Sequence, residues 1–334
     1  MKSGSQHLFT NKDLRKLLIP IMVEQLLSSL MGTIDTMMVS NVGSAAISAV
    51  SLVDSINILV IQALSALAAG GAILCSQYVG SENTQEANRS AGQVLLVMAA
   101  LSTALSVICL VLRDPMLRLI FGKVDADVMA NSRTYFLFPL LSFPFIGLYD
   151  AGASIFRAQN NTRTPMVISV ISNLMNIAGN AVLIFGFDMG VAGAAISTLV
   201  SRIFCAIVVL WQLRSPLQPI SVRYYAKIRP DFSLIRRVLL IGKLAIQSTV
   251  STLGTAAIAA QAMTNILEAL NGVAAMGVGI GLMTVVGQCI GANRKDEAVY
   301  YIKKLSWLAE IVIIVCCLFV LAITKPITVI GGME

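Results

Sequence analysis

A carboxylate, Asp35, lies inside a long apolar run of the sequence, in the stretch MGTIDTMMVS at residues 31–40. Another apolar run contains Asn173, Asn176 and Asn180, whose spacing of three and four residues places them on one face of a helix. Carboxylate and amide oxygens are the hard ligands that small cations prefer, and a carboxylate can also exchange a proton. These residues indicate a cation site. The alternative is that Asp35 only hydrogen-bonds a neighbouring helix.

The composition shows what kind of elements must position these groups. Hydrophobic residues make up 57% of the chain, charged residues only 12%, and the mean hydropathy is +0.82. Crossing a bilayer takes about 20 mostly apolar residues per helix. Eight such windows occur, at 16–39, 46–77, 92–112, 130–157, 164–187, 190–213, 256–290 and 303–324, with a shorter and more polar one between Arg237 and Gly254. The runs do not alternate with period two, which predicts an all-α, multi-pass membrane protein.

The distribution of basic residues predicts the orientation, because Lys and Arg accumulate in cytoplasmic loops. With the N-terminus in the cytoplasm, the cytoplasmic segments hold most of them, Arg157 included, and the outer segments hold only Arg113, Arg118, Lys123, Arg133 and Lys325. The net charge of +7 then reflects topology and contact with anionic lipids of the cell membrane, and a nucleic-acid partner is not needed to explain it. The expected assembly is a monomer.

Internal repetition is clear. The segment VGSAAISAV at 42–50 matches LGTAAIAAQ at 253–261, and CSQYVGSEN at 75–83 matches VGQCIGANR at 286–294, both at an offset of 211 residues. The chain is therefore two copies of one helical unit. The basic residues that open each copy are 222 residues apart, so the second copy is short by about eleven residues in its first helix.

The repeat divides the chain into three parts. Residues 1–213 form an N-lobe of six transmembrane helices, 214–233 a cytoplasmic linker rich in proline and basic residues, and 234–334 a partial C-lobe of about three transmembrane helices. A second half that matches the first would need about three further helices. The sequence is expected to be incomplete both in its seventh helix and at its C-terminal end.

Three motifs carry a family resemblance: FRAQNNTRTPM at 156–166, NIAGNAVLIFGFDMGVAGAAIST at 176–198 and VVGQCIGANR at 285–294. With the repeat, they cover nearly the whole chain. The chain resembles the multidrug and toxic-compound extrusion (MATE) family of cation-coupled antiporters. The resemblance implies two helical lobes facing each other in a V, with a central cavity that opens alternately to either side.

The resemblance also implies a site. In several bacterial members the cation site uses a first-helix Asp with polar residues of the fifth and sixth helices, and Asp35, Asn176, Asn180 and Thr198 stand at those positions. Many members have a second Asp where this chain has Asn180, so one carboxylate is expected instead of two. The resemblance implies H⁺ or Na⁺ as the coupling ion, and these four residues are candidate ligands for Na⁺. No other metal or cofactor is expected.

Further polar residues lie within the spans. Glu24 is eleven residues before Asp35 on the same helix, about three turns away and on a similar face. Glu24, Asn173, Asp150 and Glu268 are candidate cavity-lining residues, and a solvated acid without a specific role is the alternative for each carboxylate.

The sequence contains no phosphate-binding loop, no His-Cys cluster and no nucleophile motif, so an enzyme is not expected. Three hypotheses follow. The first is an antiporter that exports cationic, amphiphilic compounds in exchange for protons or sodium ions. The second is a flippase of lipid-linked precursors from the same superfamily, which would favour a more basic cavity than Arg202 alone provides. The third is an inactive, truncated gene product.

Overall fold

A computed structural model of the chain describes residues 9–121, 126–223, 225, 228–252 and 277–330. The described part is helical and contains no strand. Its helices are α1 Asn11–Ser40, α2 Ser44–Gly80, α3 Thr84–Val111, α4 Arg113–Phe121, α5 Ala126–Ala158, α6 Arg163–Asn180, α7 Gly190–Leu213, α8 Phe232–Thr252, α9 Gly277–Gly291 and α10 Lys295–Ile330. A π-helical turn, Ala181–Gly186, extends α6.

The all-α membrane fold that the sequence predicts is confirmed. Five helices of the described part, α2, α3, α5, α6 with its π-turn and α7, are long and apolar enough to cross a membrane. The span at 16–39 lies within α1 and the span at 303–324 within α10, whereas the span at 256–290 lies mostly outside the described residues. The nine-residue α4 and the π-turn were not predicted, because a short charged helix and a local change of helical pitch leave hydropathy almost unchanged.

The described helix starts show how side chains satisfy backbone groups. The Thr10 side chain accepts a hydrogen bond from the Asp13 amide, and the Asp13 carboxylate accepts one from the Thr10 amide, a capping box that begins α1. The Asn83 side chain accepts from the Glu86 amide at the start of α3. Within the bilayer the helices satisfy their own backbone, so side chains are free to build sites between them.

α5 is the central helix of the first copy. It packs against α2, α3 and α7, and its large side chains Phe136, Phe143, Ile155 and Phe156 are fully buried. α6 packs between α1 and α7 on the side of the lobe away from α3. This arrangement brings α1, α6 and α7 together, and those helices carry the residues of the predicted cation site.

The second copy contacts the first through small residues at equivalent positions of the repeat. A Cβ on Gly80 at the end of α2 would collide with the backbone of Gln288, and a Cβ on Gly291 at the end of α9 would collide with the backbone of Gln77. Because Gly80 and Gly291, and Gln77 and Gln288, correspond in the repeat, the two helices cross with pseudo-two-fold symmetry. Glycine at both positions lets the backbones approach this closely.

α1 also links the two copies. Its first half, with Leu17 and Ile21 buried, forms a core with Val285 of α9 and Tyr301 of α10. The Tyr301 hydroxyl accepts from the Phe9 amide and donates to the Phe9 carbonyl, at 2.8 Å each. One end of α1 is therefore held by the second copy, while the other end carries Asp35.

The connecting segment between α7 and α8 lies against the first copy. Its backbone is held by three amide side chains: the Ile220 amide donates to Gln159 Oε1 (2.9 Å), the Ser221 amide to Asn88 Oδ1 (2.8 Å) and the Asp231 amide to Gln93 Oε1 (3.0 Å). The sequence predicts a linker here, and its backbone is bonded to two side chains of α3 and to Gln159, the residue after α5.

Candidate functional site

The structure brings Asp35, Asn176, Asn180 and Thr198 together in one buried chain of hydrogen bonds. Asn180 Nδ2 donates to Asp35 Oδ1 at 2.5 Å and contacts Asn176 Oδ1 at 3.4 Å. Asn176 Nδ2 donates to Thr198 Oγ1 at 3.1 Å. Asn176 and Asn180 are fully buried, and Asp35 is 7% exposed. Side chains of α1, α6 and α7 thus meet inside the helical lobe.

The site is rich in oxygen atoms. Thr198 Oγ1 donates to the Ala194 carbonyl at 3.0 Å, and Ser197 Oγ donates to the Asn176 carbonyl at 2.8 Å, which fixes the start of α7 against α6. Asn180 Oδ1 is buried and has no hydrogen-bond partner in the part of the chain that the structure describes. A buried amide oxygen beside a carboxylate and a hydroxyl is the kind of donor set that a small monovalent cation uses, so the residues present fit such an ion.

A second group of residues surrounds Asp35 that the sequence did not single out as a site. The positive charge of Arg202 acts on both Asp35 and Asp54. Arg202 Nη1 donates to Ser142 Oγ at 2.6 Å, and the Tyr135 hydroxyl donates to Asp54 Oδ1 at 3.4 Å. One signal was present, because Arg202 lies four residues after Thr198 and hence on the same face of α7.

Glu24, a candidate cavity-lining residue, is buried and ion-paired. Arg157 Nη2 donates to Glu24 Oε1 at 2.8 Å, and the exposed fractions of the two side chains are 13% and 4%. The Tyr149 hydroxyl donates to the same oxygen at 2.9 Å. Arg157 lies in the last turn of α5, at the end of the helix that the sequence predicts to be cytoplasmic, and its side chain points into the lobe towards α1.

The other three candidate cavity-lining residues fall in different places. Asp150 on α5 accepts a hydrogen bond from Ser65 of α2, with Ser65 Oγ to Asp150 Oδ2 at 2.7 Å. Asn173 is buried, its Nδ2 has no partner, and it lines an apolar cavity of about 110 Å³ between α1 and α6. Glu268 lies outside the described residues.

Comparison with known proteins identifies the family. The model of the family described as MatE matches residues 20–182 and 235–334. The chain is 27% identical over 317 residues to the probable multidrug resistance protein YoeA of Bacillus subtilis, covering 88% of this chain and 68% of that protein. It is 24% identical over 315 residues to the probable multidrug resistance protein NorM of Thermotoga maritima, covering 90% of this chain and 67% of that protein.

Solved structures agree with the fold. A crystal structure of MATE in the straight conformation superposes with a TM-score of 0.82 at 19% identity, covering 96% of this chain and 74% of the other. An outward-facing multidrug resistance MATE family transporter of the MOP superfamily superposes with a TM-score of 0.79 at 19% identity, covering 92% and 71%. At this level of identity the superposition shows the fold, and the family match rests on the sequence. Together, the repeat, the helical lobe and the match over most of its length show that this chain belongs to the MatE family of membrane transporters.

Proposed function

We propose that the protein is a secondary active antiporter, which exports cationic, amphiphilic compounds in exchange for protons or sodium ions by alternating access. Two relatives that match most of the chain are named as probable multidrug resistance proteins, which supports this class of substrate. Residues 1–213 are the N-lobe, 214–233 the inter-lobe linker, and 234–334 belong to the C-lobe. The N-terminus is cytoplasmic in this arrangement.

The observation that carries the proposal is the hydrogen-bonded chain from Asp35 to Thr198. Asp35 receives its direct hydrogen bond from a neutral amide, Asn180, and among the described residues no cationic side chain forms an ion pair with it. A buried carboxylate of this kind is stabilised by a bound proton or a small cation. Asn176, Asn180 and Thr198 belong to the same hydrogen-bonded chain, and their side-chain oxygens are the type of ligand that a sodium ion uses.

The position of α1 suggests how ion binding reaches the rest of the molecule. One end of α1 carries Asp35, and the other end is packed between α9 and α10 of the second copy. Neutralising Asp35 changes its attraction for the amides of α6, and a shift of α1 in response would act directly on the contact between the two copies. Rocking of one lobe against the other is the motion that alternating access requires.

The substitution Asp35→Asn tests this role, because it keeps the shape of the side chain and removes the charge that binds the ion. Purified protein should be stabilised by sodium or by protonation, and the variant should lose that ion-dependent stabilisation while remaining folded. Cells that express the unmodified chain should export a cationic dye in an ion-dependent way, and cells with the variant should not. Ion-dependent export by Asp35→Asn at the wild-type rate would refute the role of Asp35, and absence of export by the unmodified chain would favour an inactive product.

A further inference from the structure

Asp150 lies in the interior of the lobe with little to offset its charge. It is on the central helix α5, partly buried, and its observed hydrogen-bond donor is the neutral hydroxyl of Ser65 on α2. The charges that act on it are those of Arg157 on its own helix, Glu24 on α1 and Arg202 on α7, and Asp150 in turn acts on the thiol of Cys205 on α7. The balance of these charges decides what state the Asp150 carboxyl adopts.

Both arginines have other partners. Arg157 follows Asp150 by two helical turns, about 10 Å along α5, and its guanidinium is bonded to Glu24 at 2.8 Å. Arg202 donates to Ser142 Oγ at 2.6 Å, and its charge also acts on Asp35 and Asp54. The charges of Glu24 and Arg157 cancel. When Glu24, Arg157 and Asp150 are all ionised, the three residues together carry a net charge of −1, which is that of Asp150.

A second observation points the same way. Glu24 Oε2 is buried without a hydrogen-bond partner among the described residues, so one of the two Glu24 carboxylate oxygens lacks a donor there. Arg157 Nε is likewise buried without a partner among the described residues, so the pair is not fully hydrogen-bonded, and a negative charge on Asp150 adds to the burial of incompletely satisfied charge. A buried charge without a counterion is strongly unfavourable, and binding one proton removes it.

The surroundings favour a proton over a metal cation. A sodium ion needs several oxygen ligands, whereas the hydrogen bond that Asp150 accepts from the described residues comes from one hydroxyl. Among the described residues, no group of three or more His, Cys, Asp or Glu side chains could hold a metal. A proton needs only the carboxylate itself.

We propose that Asp150 is a second proton-binding site of the N-lobe, which takes up and releases one proton independently of Asp35. Glu24 and Arg157 are positioning residues for this site, because their mutual ion pair binds the Arg157 guanidinium to Glu24 instead of Asp150. The inference does not depend on the proposed antiport, since it concerns proton binding by the folded protein.

Infrared spectroscopy of the purified protein tests the proposal, because a protonated carboxyl has a C=O stretching band that a carboxylate lacks. The wild-type band should decrease as the pH rises, and Asp150→Asn should remove the contribution of one carboxyl. The control is Glu82→Gln, at an exposed turn between α2 and α3, which should leave the band unchanged. If Asp35 also contributes to the band, Asp35→Asn should remove a separate part, and the double variant should lose the sum of both.

A second variant keeps the test decisive if Asp150→Asn folds poorly. Ser65→Ala leaves the Asp150 carboxyl in place and removes its hydroxyl donor, so it should shift the frequency of the same band. A band with the same amplitude and pH dependence in Asp150→Asn as in wild type would overturn the proposal. A frequency in Ser65→Ala that is unchanged from wild type would overturn it as well.

Discussion

Glu24 and Asp35 are two buried carboxylates on the same helix with different partners. They are separated by eleven residues of α1, about 16 Å. Glu24 is bonded to the guanidinium of Arg157 and the hydroxyl of Tyr149. Asp35 receives its direct hydrogen bond from the amide of Asn180. Their exposed fractions are almost equal, at 3% and 7%, so the difference between them lies in chemistry and not in depth.

The partner determines what each acid can do. An arginine supplies a full positive charge, so Glu24 is neutralised without any exchangeable ion and ties α1 to α5. An amide supplies only a dipole, so the charge of Asp35 remains to be offset by an ion that can come and go. Depth in the lobe alone therefore does not identify an ion-coupling residue. The type of hydrogen-bond donor beside the carboxylate is the more informative feature.

The largest effect is expected from breaking the ion pair. Glu24→Gln leaves Arg157 buried without a counterion, and loss of one member of a buried pair destabilises a protein by about 3–5 kcal/mol. Denaturant unfolding of the purified protein in mixed micelles measures the change. Asp35→Asn should cost clearly less, because it removes a carboxylate that forms no ion pair with a cationic side chain among the described residues.

The double variant Glu24→Leu, Arg157→Leu sharpens this test. Replacing a buried pair by apolar residues is often close to neutral, because both desolvation costs disappear together. Most of the stability lost in Glu24→Gln should therefore return. If Glu24→Gln is no more destabilising than Asp35→Asn, the structural role of the Glu24–Arg157 pair is wrong.

A smaller effect on stability is expected from replacing Asn180, the amide that donates to Asp35. Asn180→Leu removes the donor that serves Asp35 and leaves the carboxylate without that hydrogen bond, at a cost of about 1–3 kcal/mol. Asn173→Leu is the matched control, since it makes the same substitution on the same helix. Asn173 Nδ2 is already unpartnered, so its replacement should be neutral or stabilising. Equal losses in the two variants, measured by the same unfolding assay, would contradict the hydrogen-bonding scheme.

The cation-site residues were predictable because each signal is local. A carboxylate in an apolar run and two amides four residues apart can be recognised without knowing how the helices pack, and the family motif added Thr198. The partners of Glu24 were not predictable in this way. Arg157 is 133 residues away, at the end of a span, where hydropathy and the distribution of basic residues favour a loop. Its inward direction depends on how α5 packs against α1.

The grouping of Asp54, Arg202 and Tyr135 also depends on how helices pack and could not be predicted from local sequence patterns. They come from three helices, α2, α7 and α5, and no spacing in the sequence connects them. The repeat gave stronger information, because it predicted which positions of the two copies correspond. In the structure, Gly80 and Gly291 make equivalent contacts, as their matching positions in the repeat predict. The close approach of the two backbones explains why both residues are glycine.

The smallest effect is expected for a pair with the same chemistry at the surface. Arg89 Nη2 lies 2.7 Å from Asp231 Oδ2, as short as the Glu24–Arg157 contact, but the Arg89 side chain is 56% exposed. Water and salt screen such a pair, so Arg89→Gln should change stability far less than Glu24→Gln. The effect of Arg89→Gln should vanish at high salt. Unfolding of wild type and variant at low and high salt measures this.

Asp231 also predicts a pH dependence with a definite sign. Hydrogen bonds from the Ser233 hydroxyl and the Leu234 amide lower the pKa of Asp231, and Arg89 lowers it further. A carboxyl whose pKa is lower in the folded state contributes stability above its unfolded pKa, and that contribution is lost as the pH falls through the folded value. Asp231→Asn should therefore reduce stability at neutral pH and make little difference in acid, whereas an equal reduction at both pH values would show that the carboxylate charge is not what stabilises the start of α8.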